Sequence, residues 1–193
     1  MAPGIGCPDA GGMASRFADM FVDLNDDPRV DAPGQADERS TLLGFLRWQR
    51  ATLELKCAGL TPADLARRSL EPSKLSLLGL VRHLTDVERG WFRGGLAQED
   101  TASLYSSRED PDGDFDGAVP DPEVVAAAWA AWREEAEYTD RFVRSADFGL
   151  SVPDEWRGPL SLRWVLIHCV EEYARHLGHA DVLRERIDGR VGQ

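Results

Sequence analysis

Apolar residues recur at three- and four-residue steps through four long stretches of the chain, with little strand-like alternation between them. Leu42, Phe45, Leu46, Leu53 and Cys57 mark one face of a helix over about Asp37 to Ala58, and Gly59 is a natural stop. Leu77, Leu80, Leu84, Val87 and Trp91 predict a second long helix over about Ser76 to Phe92, followed by Gly94 and Gly95. Val125, Ala128, Trp129, Trp132, Ala136 and Phe142 predict a third, from Asp121 to about Ser145, opened by Asp121-Pro122-Glu123 as cap, proline and acid. Leu162, Val165, Cys169, Tyr173, Ala180, Leu183 and Ile187 predict the last, capped by Ser161 and ended before Gly189. At ~1.5 Å per residue it is about 40 Å long. A short helix begins at Thr61-Pro62-Ala63-Asp64. Four long helices with little strand signal predict an all-α four-helix bundle over residues 37–189.

The remaining stretches lack that period. Residues 1–36 are rich in Gly, Pro and Asp, with one amphipathic piece, Ala14 to Leu24, carrying Phe17, Met20, Phe21 and Leu24. The segment reads as a flexible N-terminal tail or a strap lying on the bundle. Residues 96–120 form a long acidic link, and links of this length often serve as lids or crossovers. Residues 149–160 read as a loop punctuated by Pro153, Gly158 and Pro159.

A net charge of −12 opposes non-specific nucleic-acid binding, which needs clustered Lys and Arg. No stretch approaches eighteen apolar residues and the N-terminus lacks a basic-then-apolar leader, so neither a membrane span nor a secretory signal is expected. Three widely spaced cysteines, Cys7, Cys57 and Cys169, do not make a disulfide framework, and a reducing cytoplasm is the expected setting. Trp48, Trp91, Trp129, Trp132, Trp156 and Trp164 read as core or as the surface of a homodimer.

The chemistry concentrates in the last helix. His168, Glu172, His176 and His179 are spaced four, four and three, on one helical face. On a helical wheel His176 lies closest to the apolar centre, Glu172 next, then His179 and His168. Glu172 and His176 are therefore the pair best placed to share one ion. His83 sits at the margin of the second helix's apolar stripe and adds a third ligand. Three ligands with one open position are the pattern of a catalytic metal site. Nitrogen and carboxylate donors suit Zn²⁺ first, and also Ni²⁺, Fe²⁺ or Mn²⁺. His179 remains the alternative to Glu172, and His168 reads as an outer or surface group. A histidine near a core is more often a packed, hydrogen-bonded residue. Three histidines and a glutamate on one face are harder to bury without a cation. Cys169, on the inner side, reads as a small core residue rather than a nucleophile. Glu88, near the second helix's apolar side, reads as hydrogen-bonded to a neighbour.

The strings Arg82-His83-Leu84-Thr85-Asp86-Val87-Glu88-Arg89-Gly90-Trp91-Phe92 and Glu171-Glu172-Tyr173-Ala174-Arg175-His176-Leu177-Gly178-His179-Ala180-Asp181 resemble the second and last helices of the DinB-like superfamily. The resemblance covers about Glu38 to Gly189 and is nearest to the actinobacterial branch that includes mycothiol-dependent enzymes. It implies a four-helix bundle with a divalent metal held by one ligand from the second helix and two from the last. Carried over, these are His83, Glu172 and His176, a His/Glu/His variant of a pattern that elsewhere has three histidines. It also implies a low-molecular-weight thiol such as mycothiol as cosubstrate. The expected activity is then a thiol S-transferase, or a thiol-dependent isomerase, acting on a small electrophile. His179 or Arg175 would orient the thiol or its partner, and the acidic link would gate the pocket. The competing classes are a metal-dependent hydrolase, which needs no thiol, and a non-catalytic bundle that binds a small molecule or a metal.

Overall fold

The computed structural model describes residues 21–23, 25–154 and 157–192. Side-chain caps open helices at Thr61, Asp121 and Ser161 as predicted, and at Asp37 and Ser76 besides. Asp37 accepts from the Ser40 N–H at the start of α1, Glu38–Cys57. Thr61 and Asp64 form a reciprocal capping box on α2, Pro62–Leu65. Ser76 opens α3, Leu77–Glu88, by accepting from Gly79 N–H. A short α4, Gly113–Asp116, interrupts the acidic link. Asp121 opens α5, Pro122–Ser145. Ser161 opens α6, Leu162–Asp188, and Gly189 closes it at φ +79°, a conformation that favours glycine.

Helix α1 packs on α6, and α3 packs on both α5 and α6. Leu46, Leu53, Leu80, Leu84, Val165, Leu166 and Leu183 are wholly buried between them. Each such side chain contributes ~1.5–3 kcal/mol of burial. Among the described residues no helix is long and apolar enough to cross a membrane.

Three expectations give way. First, the second long helix does not run on as α past Glu88. Arg89–Leu96 is a π-helical run, in which Ala97 N–H reaches back to the Phe92 carbonyl. Gly90, Gly94 and Gly95 weaken the ordinary ladder there. Arg89 and Arg93 both grip Glu135 of α5, at 2.8 and 2.6 Å, across the altered turns. Second, residues 149–160 are not plain loop. Two short strands, β1 Ser151–Val152 and β2 Leu160–Ser161, pair antiparallel. Third, Phe45 is 49% exposed and Leu43 points inward instead. The inward line of α1 is Leu43, Leu46, Arg50, Leu53 and Cys57. Its central member is charged, so an apolar stripe alone misjudges the helix's rotation.

That buried arginine belongs to a polar knot drawn from all four long helices. Arg50 of α1 donates through Nε to Glu88 Oε1 of α3 at 2.8 Å and through Nη2 to the other carboxylate oxygen. Its Nη1 donates to Asp140 of α5 at 2.8 Å. Tyr173 of α6 donates its hydroxyl to Glu88 at 2.6 Å. Trp132 of α5 donates from its indole nitrogen to that tyrosine at 2.7 Å. The knot fixes the rotation of α6, and with it the direction in which Glu172 faces.

The N-terminal segment is described only in part. Phe17, Met20 and Leu24 of the amphipathic piece, with Cys7 and Trp156, lie outside the described residues. Phe21 is buried, with the Lys56 ammonium 4.3 Å from its ring and the Arg190 guanidinium donating to its carbonyl at 2.9 Å. Further along, Pro33 sits so close to α1 that a Cβ on Gly44 would meet its Cδ at 2.7 Å.

Candidate metal centre

His83 projects from α3 toward Glu172 and His176, one turn apart on α6. One ligand atom from each lies within 4.8 Å of the other two. Glu172 Oε2 and His176 Nε2 are 3.4 Å apart. The His83 and His176 rings meet at 4.5 Å between centroids. The side chains of His83, Glu172 and His176 keep 27%, 25% and 12% of their exposure, so solvent reaches the trio.

Helix α4 supplies a fourth group. A Cβ on Gly79 would lie 2.7 Å from Phe115, so the glycine one turn before His83 lets α4 approach α3 closely. Arg82 secures the contact by donating to the carbonyls of Asp114 and Gly113 at 2.8 and 2.9 Å. The buried Asp114 carboxylate then lies 2.8 Å from His83 Nδ1, and the Phe115 ring stacks 5.5 Å from the His83 ring. A carboxylate on one imidazole nitrogen fixes the tautomer and leaves the other nitrogen for an ion. The acidic link that carries Asp114 is also tied to α3 upstream: the Asp86 carboxylate accepts the N–H groups of Leu104, Tyr105 and Ser106 at 2.7, 3.1 and 3.0 Å.

Charge in the site is poorly balanced. Burial, with help from neighbouring His83, His179 and Arg175, pushes the His176 pKa down to about 4. Its imidazole is neutral at pH 7 and offers a lone pair. Glu172 stands between two imidazoles, with His168 Nε2 3.4 Å from Oε1 and His176 on Oε2.

A family model described as mycothiol S-transferase matches residues 41–189. The chain belongs to that family, a DinB-like one. No curated protein matches it. Among solved structures, a conserved protein from Enterococcus faecalis is similar at 13% identity, with a TM-score of 0.56 over 80% of this chain and 99% of that one. At that identity the likeness shows the fold alone.

The other residues singled out in this family member fall in distinct places. His179 is half-buried and turns toward His176, with the two Nδ1 atoms 3.4 Å apart. Arg175 is exposed on the outer side of α6. Cys169 is fully buried, and burial raises its thiol pKa well above the usual value. Cys57 is pushed up to about 12 by the same cause. Neither thiol has the exposed, thiolate-favouring surroundings of a nucleophile. Of the described tryptophans, Trp132 is core, while Trp164 is 37% exposed. Asp114 is the residue that sequence reasoning missed. It lies in an aperiodic acidic run, and only the Gly113 and Gly117 flanks, which permit close approach, hint at packing there.

Proposed function

We propose that this protein is a divalent-metal-dependent mycothiol S-transferase, with His83, Glu172 and His176 as the metal ligands. The observation that carries the reading is the convergence of those three side chains from two helices, with Asp114 behind His83. The donor set fits a small divalent ion. Ligand atoms ~2.0–2.2 Å from a tetrahedral zinc stand about 3.3–3.6 Å apart; the Glu172–His176 separation is 3.4 Å, and all three donor atoms lie within 4.8 Å of one another. When bound, such an ion supplies a Lewis-acid position that makes a thiol more acidic. Zinc is the first candidate, with Ni²⁺, Fe²⁺ and Mn²⁺ behind it.

The chain's own contribution is placement. Asp114 holds the His83 ring by Nδ1, and the Tyr173–Glu88 bond holds α6 in rotation. His179, whose Nδ1 lies 3.4 Å from that of His176, and the exposed Arg175, next to His176 in sequence, orient the thiol. The thiol proton leaves to water. The sulfur then forms a bond to an electrophilic carbon, whose leaving group departs with the bonding pair.

The test is metal analysis followed by mycothiol conjugation with a panel of small electrophiles. Wild type is expected to carry one ion per chain and to depend on added thiol. His83→Ala and His176→Ala are expected to lose both metal and turnover while keeping their helical content. Unchanged metal content in both variants rejects the ligand assignment. Turnover indifferent to thiol rejects the transferase in favour of a hydrolase.

A further inference from the structure

Beside the trio, three aromatic side chains build a wall that runs out to solvent. Trp164 stands in the first turn of α6 and His168 one turn on, their rings stacked at 4.9 Å and 18°. Trp91, carried by the π-helical run, sets its edge against both, at 5.4 Å from Trp164 and 4.9 Å from His168. The inner end of the wall touches the candidate centre directly, since His168 Nε2 is 3.4 Å from Glu172 Oε1. The outer end is open, with Trp164 still 37% exposed. Over that end lies the guanidinium of Arg157, from the loop between β1 and β2. It sits 5.6 Å from the Trp91 ring and 5.9 Å from the Trp164 ring.

Such an arrangement has a recognisable chemical complement. An indole face takes a flat ring by stacking, best when that ring is electron-poor. A guanidinium stacks on π faces and also pairs with a negative group by a planar fork. Here it supplies positive charge at the mouth of a chain whose net charge is −12. We propose that the Trp91–Trp164–His168 wall under Arg157 is the subsite for the second substrate, and that this substrate is a flat, electron-poor aromatic compound bearing a negative group. The ring takes the exposed side of Trp164 in place of the Arg157 guanidinium, which swings out on its exposed loop to pair with the negative group, and the ring's inner edge faces Glu172. Its assignment as the electrophile rests on the transferase reading above. Its binding does not.

The probe is 2,4-dinitrophenolate, an unreactive ring of this class, titrated calorimetrically into the full chain. One site per chain is expected, retained in His83→Ala and after the metal is stripped with a chelator. Trp164→Leu is expected to weaken binding about tenfold, the ratio that ~1.4 kcal/mol of stacking produces. Arg157→Glu, a loop substitution that leaves every helix intact, is expected to weaken it at least as much. Phe45→Ser, on a different exposed aromatic, is expected to change nothing. Cyclohexanecarboxylate, charged but not aromatic, is expected not to compete. Wild-type affinity in either Trp164→Leu or Arg157→Glu overturns the subsite, as does the absence of a one-to-one site in wild type. If the transferase reading fails instead, metal or thiol dependence disappears while ring binding persists.

Discussion

Two carboxylates from the same bundle sit among rings and cations, and they are satisfied in opposite ways. Glu88 is 1% exposed and takes hydrogen bonds from Arg50 and Tyr173, so its charge is cancelled by the protein itself. Glu172 is half-buried and faces two imidazoles, one of them held neutral at pH 7 by its surroundings. The first arrangement is closed and leaves nothing for a ligand to add. In the second, the carboxylate pairs with no Lys or Arg among the described residues. A buried polar cluster becomes a binding site when its mismatch can be relieved only by something from outside.

The comparison can be broken most severely at the closed knot. Glu88→Ala strands the Arg50 charge, and breaking a buried pair this way costs about 3–5 kcal/mol. The expected result is a large fall in the urea midpoint, with weaker metal retention in the remaining folded protein, because Glu88 holds α6 in the rotation that aims Glu172. A fall of under ~1 kcal/mol, the scale of an exposed pair, would show that water reaches the knot.

The open cluster is expected to behave in the reverse manner. Added metal at a hundred times its dissociation constant stabilises wild type by about 2.7 kcal/mol. The gain vanishes in His176→Ala, whose metal-free form unfolds close to the wild-type midpoint. Parallel denaturant titrations with and without metal read both quantities. Equal metal protection in the variant removes His176 from the ligand set.

Asp114→Asn keeps the shape but not the charge behind His83, and changes of this kind lower metal affinity about 10- to 100-fold. Competition with a chelator of known affinity measures the change, and unaltered affinity means that Asp114 merely packs. The smallest expected effect is Trp132→Phe, which removes one hydrogen bond to Tyr173 at a cost of about 1 kcal/mol. Thermal unfolding checks it. A larger loss would mark the tryptophan as part of the knot's shape as well as its bonding.

What the sequence made legible was local. Thr61, Asp121 and Ser161 each cap the helix they precede, because a side-chain oxygen and the next turn's N–H are neighbours in the chain. The spacing of Glu172 and His176 put them on one face for the same reason. Contacts between distant segments stayed hidden. Nothing near Arg50 announces that a charge occupies the inward line of α1, since its partners Glu88 and Asp140 lie 38 and 90 residues away. Asp114 reads as one more acid in a solvated run until Gly79 is seen to admit α4 against His83. The π-helical run escaped because Trp91 and Phe92 fit an ordinary apolar period.

Loss of one residue within Arg89–Leu96 would let that run revert to α geometry. His83, Asp86 and Glu88 stand upstream and would keep their places. The run holds more residues per turn than α-helix, so the segments beyond it would keep their facing while the side chains inside it turn about the axis. A deletion at Gly90 would therefore re-aim Trp91 without disturbing the ion's neighbours. The joint thus sets where Trp91 points independently of where His83 points.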